Sequence, residues 1–199
     1  LAGNTHGRTF SGTGASLKSE FSLSNSTSGG EYTPSVARLG NGNFLATWSD
    51  SLTAGAFPPS GEIMGRIYSA AGTAQGNEFR INSTTTGVQI GTDSVALGDG
   101  RTAVVWGNAV VSGTSLQSTE LRGRFVSAAG NVTGTEFQVD RIATGSSYQD
   151  ESLDVLGLGN GGFVVIWEEE TSSSTEQIHF QRFTATGAKS GSEAIVESV

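Results

Sequence analysis

The chain has no cysteine, three prolines and one methionine in 199 residues. Without cysteine there are no disulfides, no thiol chemistry and no Cys-type zinc site. Charge is scarce too: 15% of residues are charged, and 11 basic side chains face 19 acidic ones. A net charge of −8 leaves no electrostatic footprint for DNA, RNA or an anionic membrane. No apolar run approaches the roughly 20 residues of a membrane helix. The N-terminus has no signal-peptide shape, so the sequence reads as a mature or excised segment. What is abundant is glycine, at 29 residues, with serine and threonine. These residues are poor helix formers and suit short strands joined by tight turns. The absence of cysteine fits a bacterial outer surface or a cytosol equally, and the Ser/Thr/Gly-rich, lysine-poor composition tilts the expectation toward a secreted, extracellular or cell-surface protein.

One passage is written three times. Leu39-Gly40-Asn41-Gly42-Asn43-Phe44 runs on to Trp48, Leu97-Gly98-Asp99-Gly100 to Trp106, and Leu158-Gly159-Asn160-Gly161-Gly162-Phe163 to Trp167. The Trp positions lie 58 and 61 apart. Periods of this size mean one supersecondary unit stacked on copies of itself. Each unit reads as four strands. Strand a covers 35–39, 93–97 and 153–158; strand b covers 44–48, 102–106 and 163–167. The Asn/Asp-Gly pair between them predicts a type I′ hairpin turn, with positive φ at both central residues. Strand b of the third copy is apolar on both faces, the pattern of an inner strand covered above and below. Variable polar loops (50–61, 107–119, 168–176) lead to strand c (62–69, 120–127, 177–184). Strand d then carries Glu78-Phe79, Glu136-Phe137 and Glu193-Ala194.

The stretch from Gly7-Arg8 to Glu20-Phe21 is a strand c and strand d with no a or b before it. The chain is thus one repeat domain, residues 1–199, made of a half unit (1–30) and three units (31–87, 88–145, 146–199). The expected fold is all-β, with repeated four-stranded antiparallel units arranged like propeller blades. A threefold β-prism or β-trefoil is the alternative, since three four-stranded units close those folds unaided.

The phrase Leu158-Gly159-Asn160-Gly161-Gly162-Phe163-Val164-Val165-Ile166-Trp167, with Arg182-Phe183 and Glu136-Phe137-Gln138-Val139, resembles a known tandem repeat. That repeat occurs in very large secreted proteins of alphaproteobacteria, beside haemolysin-type calcium-binding (RTX-like) repeats and cadherin-like modules. The resemblance covers residues 7–197 and implies an extracellular or cell-surface adhesive protein, with no catalytic residues to carry over. The chain departs from those proteins in lacking the Gly-Gly-x-Gly-x-Asp nonapeptide that binds calcium, and in its small number of units.

Two residue sets are candidates for ligand binding. Arg8, Arg66, Arg124 and Arg182 follow each other at 58-residue steps, and a row of guanidinium groups suits carboxylates, sulfates or sugar hydroxyls. The alternative is that each Arg pairs with an acidic residue of its own unit, such as Glu20, Glu78, Glu136 or Glu193, or caps carbonyls between blades. Trp48, Trp106 and Trp167 are either sugar-stacking platforms or core residues between units that donate their N–H to a carbonyl. Carboxylates cluster at Asp150, Glu151 and Asp154 and at Glu168, Glu169 and Glu170, but neither group has calcium-loop spacing, so they are weak metal candidates. No cofactor is expected, calcium being the weak exception. No nucleophile elbow, zinc motif or phosphate loop is present, so no enzyme is expected.

The function read from the sequence is a secreted, non-enzymatic adhesion or carbohydrate-binding (lectin-like) module. Its expected partners are a glycan or cell-surface ligand and further copies of itself, with no nucleic acid and no membrane span. The alternative is a structural protein that assembles into a ring or filament through its N-terminal half unit, whose strand edge has no mate. A glycosidase-like propeller, needing only two carboxylates at the right separation, is the minor alternative.

Overall fold

The computed structural model describes residues 5–25, 30–51, 61–112, 115–142, 147–148, 153–172 and 175–198. All its regular structure is strand. The half unit is the hairpin β1 (His6–Gly7) and β2 (Phe21–Ser22). Blade 1 is β3 (Gly30–Arg38), β4 (Phe44–Ser51), β5 (Gly61–Tyr68) and β6 (Phe79–Arg80). Blade 2 is β7 (Val88–Ala96), β8 (Arg101–Ser112), β9 (Ser115–Ser127) and β10 (Val132–Ile142). Blade 3 has an inner strand in two pieces, β11 (Ser147–Tyr148) and β12 (Asp154–Gly157), both paired with β13 (Phe163–Ser172). β14 (Thr175–Phe183) and β15 (Ala194–Ser198) complete it. Within each blade, neighbours in sequence are antiparallel neighbours in space.

The blades meet along their inner strands: β7 packs against β3 on one side and β12 on the other. Sheets that touch at their first strands and fan outward are propeller-like; this is the architecture adopted here over a prism or trefoil. Leu39, Leu45, Ile63, Ile67 and Ile81 of blade 1 pack on Val104, Trp106 and Val126 of blade 2. Leu97, Ala103, Val105, Leu121, Phe125 and Val139 of blade 2 pack on Val155, Phe163, Val165, Trp167 and Phe183 of blade 3. The core is therefore a series of seams between units, each built from the back face of one blade and the front face of the next.

The a–b hairpins turn at the expected residues by a different turn. Positive φ occurs at Gly42, Gly100 and Gly161, but not at Asn41, Asp99 or Asn160. The N–H of Gly42 donates to Leu39 O at 3.0 Å and that of Leu39 to Asn43 O at 2.8 Å, and the other two copies repeat this. The result is a three-residue loop, a turn followed by a left-handed glycine, rather than type I′. The Asn or Asp is selected by its side chain, whose Oδ1 accepts the N–H two residues on, as in Asn43 N to Asn41 Oδ1 at 3.0 Å. The c–d turns use the same backbone pattern, starting at Ser11, Ser69, Ser127 and Thr184.

The glycine of Gly-Arg makes room for the phenylalanine of Glu-Phe. Gly7, Gly65 and Gly123 pair directly with Phe21, Phe79 and Phe137, and a Cβ at Gly123 would meet the Phe137 ring. In blade 3 the exchange is reciprocal: Phe180 pairs with Ala194. The same cross-strand volume is filled from the other side.

The two-sided apolar strand b is realised fully in blade 2, where Val104 and Val105 are both completely buried. β13 departs from the expectation: Val165 is buried, but Ile166 on the opposite face is exposed, with no described residue of another unit packed over it.

Candidate functional site

Trp48, Trp106 and Trp167 are fully buried, each in a seam, so none offers a stacking face to a sugar. Nor do they bond a carbonyl: their Nε1 atoms have no hydrogen-bond partner among the described residues.

The arginines are engaged within the array. Arg8 Nε donates to Ser16 Oγ at 3.1 Å. Arg66 Nε donates to Gly76 O at 2.9 Å, and its NH1 reaches Asn25 Oδ1 of the half unit at 3.1 Å. Arg124 binds Gly134 O twice and Ile81 O of blade 1 at 2.9 Å. These contacts brace the c–d hairpin and tie it to the unit before. Arg182 does not belong to the set. In β14 it is Gln181 that bonds the carbonyl ten residues on, Gly191 O, while Arg182 is exposed. Gln181 pairs with Val165 as Arg124 pairs with Val104 and Arg66 with Ala46. A one-residue shift in blade 3 has moved Arg182 to the opposite face.

The strand-d glutamates take several partners. Glu78 lies 3.8 Å from Arg66, but Glu136 pairs with Arg122 at 3.0 Å, Glu193 with His179 at 2.7 Å, and Glu20 with His6 at 3.2 Å. Glu78 and Glu136 also clasp the preceding unit, Glu78 through Asn25 N and Glu136 through the N–H and O–H groups of Ser83 and Thr84. Burial alone would raise the Glu136 pKa; the bonds from Thr84 and Ser83 outweigh it and lower it to about 2.

Of the acidic candidates, Asp150 and Glu151 lie outside the described residues. Glu168 and Glu169, adjacent on a strand, point to opposite faces. Glu169 lies 3.7 Å from His179 Nε2, and that ring stacks on Trp167. Asp154 stands beside Asp93 on the neighbouring inner strand. Asp93 accepts from Ser35 Oγ at 2.7 Å and Val155 N at 2.9 Å, so one carboxylate joins the inner strands of all three blades. Burial pushes its pKa up, those bonds oppose the shift, and the Asp154 carboxyl raises it again. No group of three His, Cys, Asp or Glu side chains converges to hold a metal among the described residues.

A second acidic arrangement was not visible in the sequence. Glu31, Asp50 and Glu62 oppose one another across β3, β4 and β5, at the end of blade 1 where strand b leads into strand c. Glu31 accepts from Thr5 N at 2.7 Å; Glu62 accepts from Asn82 and lies 3.5 Å from Arg80. Asp50 is buried and its Oδ1 accepts no hydrogen bond among the described residues. Burial raises its pKa, and Glu31, Glu78 and Glu62 add to the effect. A buried carboxyl whose pKa is raised by burial and by neighbouring carboxylates has the environment of a general acid. In blade 2 the row is Gln89, Asn108 and Glu120, with Gln89 Nε2 donating to Asn108 Oδ1 at 3.1 Å.

A recess lies at the open end. A cavity of about 580 Å³ is bounded by His6, Arg8 and Phe21 of the half unit and by Val36, Phe44 and Ala46 of blade 1. Val36 is 65% exposed, whereas its counterparts Ser94 and Val155 are 8% and 6% exposed beneath the preceding blade.

No family model matches the sequence, and no curated protein matches it. In structure it is similar to an endo-arabinase from Bacteroides thetaiotaomicron VPI-5482, with 12% identity and a TM-score of 0.59 over 89% of this chain. It is also similar to a protein of unknown function from Dyadobacter fermentans DSM 18053, with 13% identity and a TM-score of 0.58 over 87% of this chain. The chain spans 66% of the first and 54% of the second. At these identities the likeness is one of fold.

Proposed function

We propose that this chain is a non-enzymatic assembly and adhesion module of a secreted or cell-surface protein, joining further β-structure through its open ends. The observation that carries this reading is the exposure of Val36 at a position that both other blades bury. The far end supports it: Leu156, Ile166 and Val196 are exposed on the back of blade 3, where Val105 and Val139 of blade 2 are fully buried. Apolar faces shaped for a neighbour and left without one drive association. The module needs no cofactor in this reading, so calcium leaves its melting temperature unchanged. Native mass spectrometry and light scattering test the assembly. The mass rises with concentration above that of one chain, and Ile166→Asp with Val196→Asp returns it to a single chain. A single-chain mass at every concentration overturns it.

Carbohydrate processing is the second reading, favoured by the carboxylate row Glu31–Asp50–Glu62 and by the fold shared with an endo-arabinase. In it Asp50 donates a proton to a leaving glycosidic oxygen and a neighbouring carboxylate of the row serves as base. Incubation with arabinan, followed by assay of new reducing ends, decides it. Release that Asp50→Asn abolishes supports the reading; retention of the polysaccharide without release supports lectin-like binding; neither outcome leaves assembly alone.

A further inference from the structure

We infer that Tyr32 is a stacking platform for an uncharged sugar ring, set at the same end of blade 1 as the carboxylate row. The inference rests on the carbohydrate reading and names the surface that holds the sugar chain. The three indole rings are buried in the seams, so a sugar needs another aromatic face. Tyr32, on the inner strand β3, is 55% exposed. Two local features make its ring a prepared surface. Gly30, two residues earlier on the same face of β3, has no side chain, and a Cβ there would meet the Tyr32 hydroxyl, Cζ and Cε2. The ring therefore rests on the backbone of its own strand, and little rotamer freedom is left to lose when a ligand arrives. A bulge follows at once. Between the pairs Tyr32–Ser49 and Ser35–Thr47, β3 takes three steps against two on β4, and Thr33 stands at a φ of 46°. A β-branched residue in this region is strained, and bulges re-aim the side chains beside them.

Blade 2 shows the same place without such a ring. Gly30 pairs with Ser51, three residues after Trp48, and Val88 pairs with Ala109, three after Trp106. By the same register Ile90 matches Tyr32, and the bulge is made by Gly91 at a φ of 61°. Blade 2 thus carries a buried valine and a partly buried isoleucine where blade 1 carries a glycine and an exposed tyrosine. The ring and the carboxylate row are close in register. Glu31 precedes Tyr32, and Asp50 follows its partner Ser49, so ring and carboxyls lie on opposite faces at one end of the sheet. A polysaccharide crossing that end meets an aromatic face on one side and hydrogen-bond acceptors on the other. The apolar C–H face of a sugar packs on the ring, and the phenol hydroxyl reaches a sugar oxygen.

Affinity electrophoresis of the full chain through gels containing arabinan, xylan or galactan is the test. The expected result is retardation in at least one gel, with a dissociation constant that Tyr32→Ala raises about tenfold or more and Tyr32→Phe leaves near wild type. Phe10→Ala should change nothing, because Phe10 is equally exposed, at 57%, but lies on the c–d hairpin of the half unit. Tyr32 is exposed, so its variants keep the fold, which circular dichroism checks. No retardation in any of the three gels, or equal retardation of wild type and Tyr32→Ala, overturns the inference. Cleavage that Asp50→Asn abolishes, with retardation indifferent to Tyr32, sinks the platform alone. Retardation that depends on Tyr32, with no cleavage, supports the platform and sinks hydrolysis alone.

Discussion

Blade 1 and blade 2 share their strand order, a–b turn, c–d turn, buried tryptophan and Gly–Phe pair, yet their front faces differ. Blade 2 lies under Leu39, Leu45, Ile63, Ile67 and Ile81 of blade 1. Among the described residues, blade 1 lies under the outer strands of a half unit. The sheet is the same in both; its burial comes from the neighbour. The difference extends to polar groups. At the end of the blade where strand b leads into strand c, blade 2 carries Gln89 and Asn108, which bond each other, and blade 1 carries Glu31 and Asp50, two carboxyl groups side by side, where Glu31 adds to the raised pKa of Asp50. At the inner-strand bulge blade 2 has Gly91 at positive φ, and blade 1 has Thr33, a β-branched residue in the same region.

The strongest way to break the comparison is to alter what the blades share. Gly123→Phe drives a ring into Phe137 and should cost about 3 kcal/mol. Adding Phe137→Ala, which recreates the Phe180–Ala194 arrangement of blade 3, should recover most of that loss in urea denaturation. If the double variant is no better than the single, the reciprocal packing account fails. Glu136→Gln removes the clasp on Ser83 and Thr84 and should cost about 1–2 kcal/mol at neutral pH, allowing for solvent screening. The sign follows from a folded pKa of about 2 against an ordinary value of 4.5. The contribution is full above the ordinary value and is lost as pH falls through about 2, so wild type and variant should converge in acid. Asp50→Asn converts the row of blade 1 toward that of blade 2. Because the Asp50 pKa is raised, ionising it costs folded-state stability as pH climbs. The variant should gain about 0.5–1 kcal/mol at pH 7 and nothing at pH 3. An equal gain at both values would remove the carboxylate from the explanation.

The repeat, the four-stranded unit and the half unit were legible because Asn/Asp-Gly turns and alternating strands are local signals. The turn type was not, since Asn41-Gly42 reads as a two-residue loop until the bond from Leu39 to Asn43 shows three residues. Arg182 misled because a regular 58-residue step concealed a one-residue shift of β14. A signal was present: the c–d turns start at Ser69, Ser127 and Thr184, and the last step is 57. Phe180 in place of the usual glycine marks the same shift. The row of Glu31, Asp50 and Glu62 depends on cross-strand register between distant segments, which no spacing in a single sequence reveals.

Matched substitutions at one position in two blades test most directly that each unit is sheltered by the one before it. Val155→Asp buries a charge under blade 2 and should cost about 3 kcal/mol or more in urea denaturation, whereas Val36→Asp should leave the midpoint of the single chain within about 0.5 kcal/mol of wild type. Equal losses at the two positions would contradict the account.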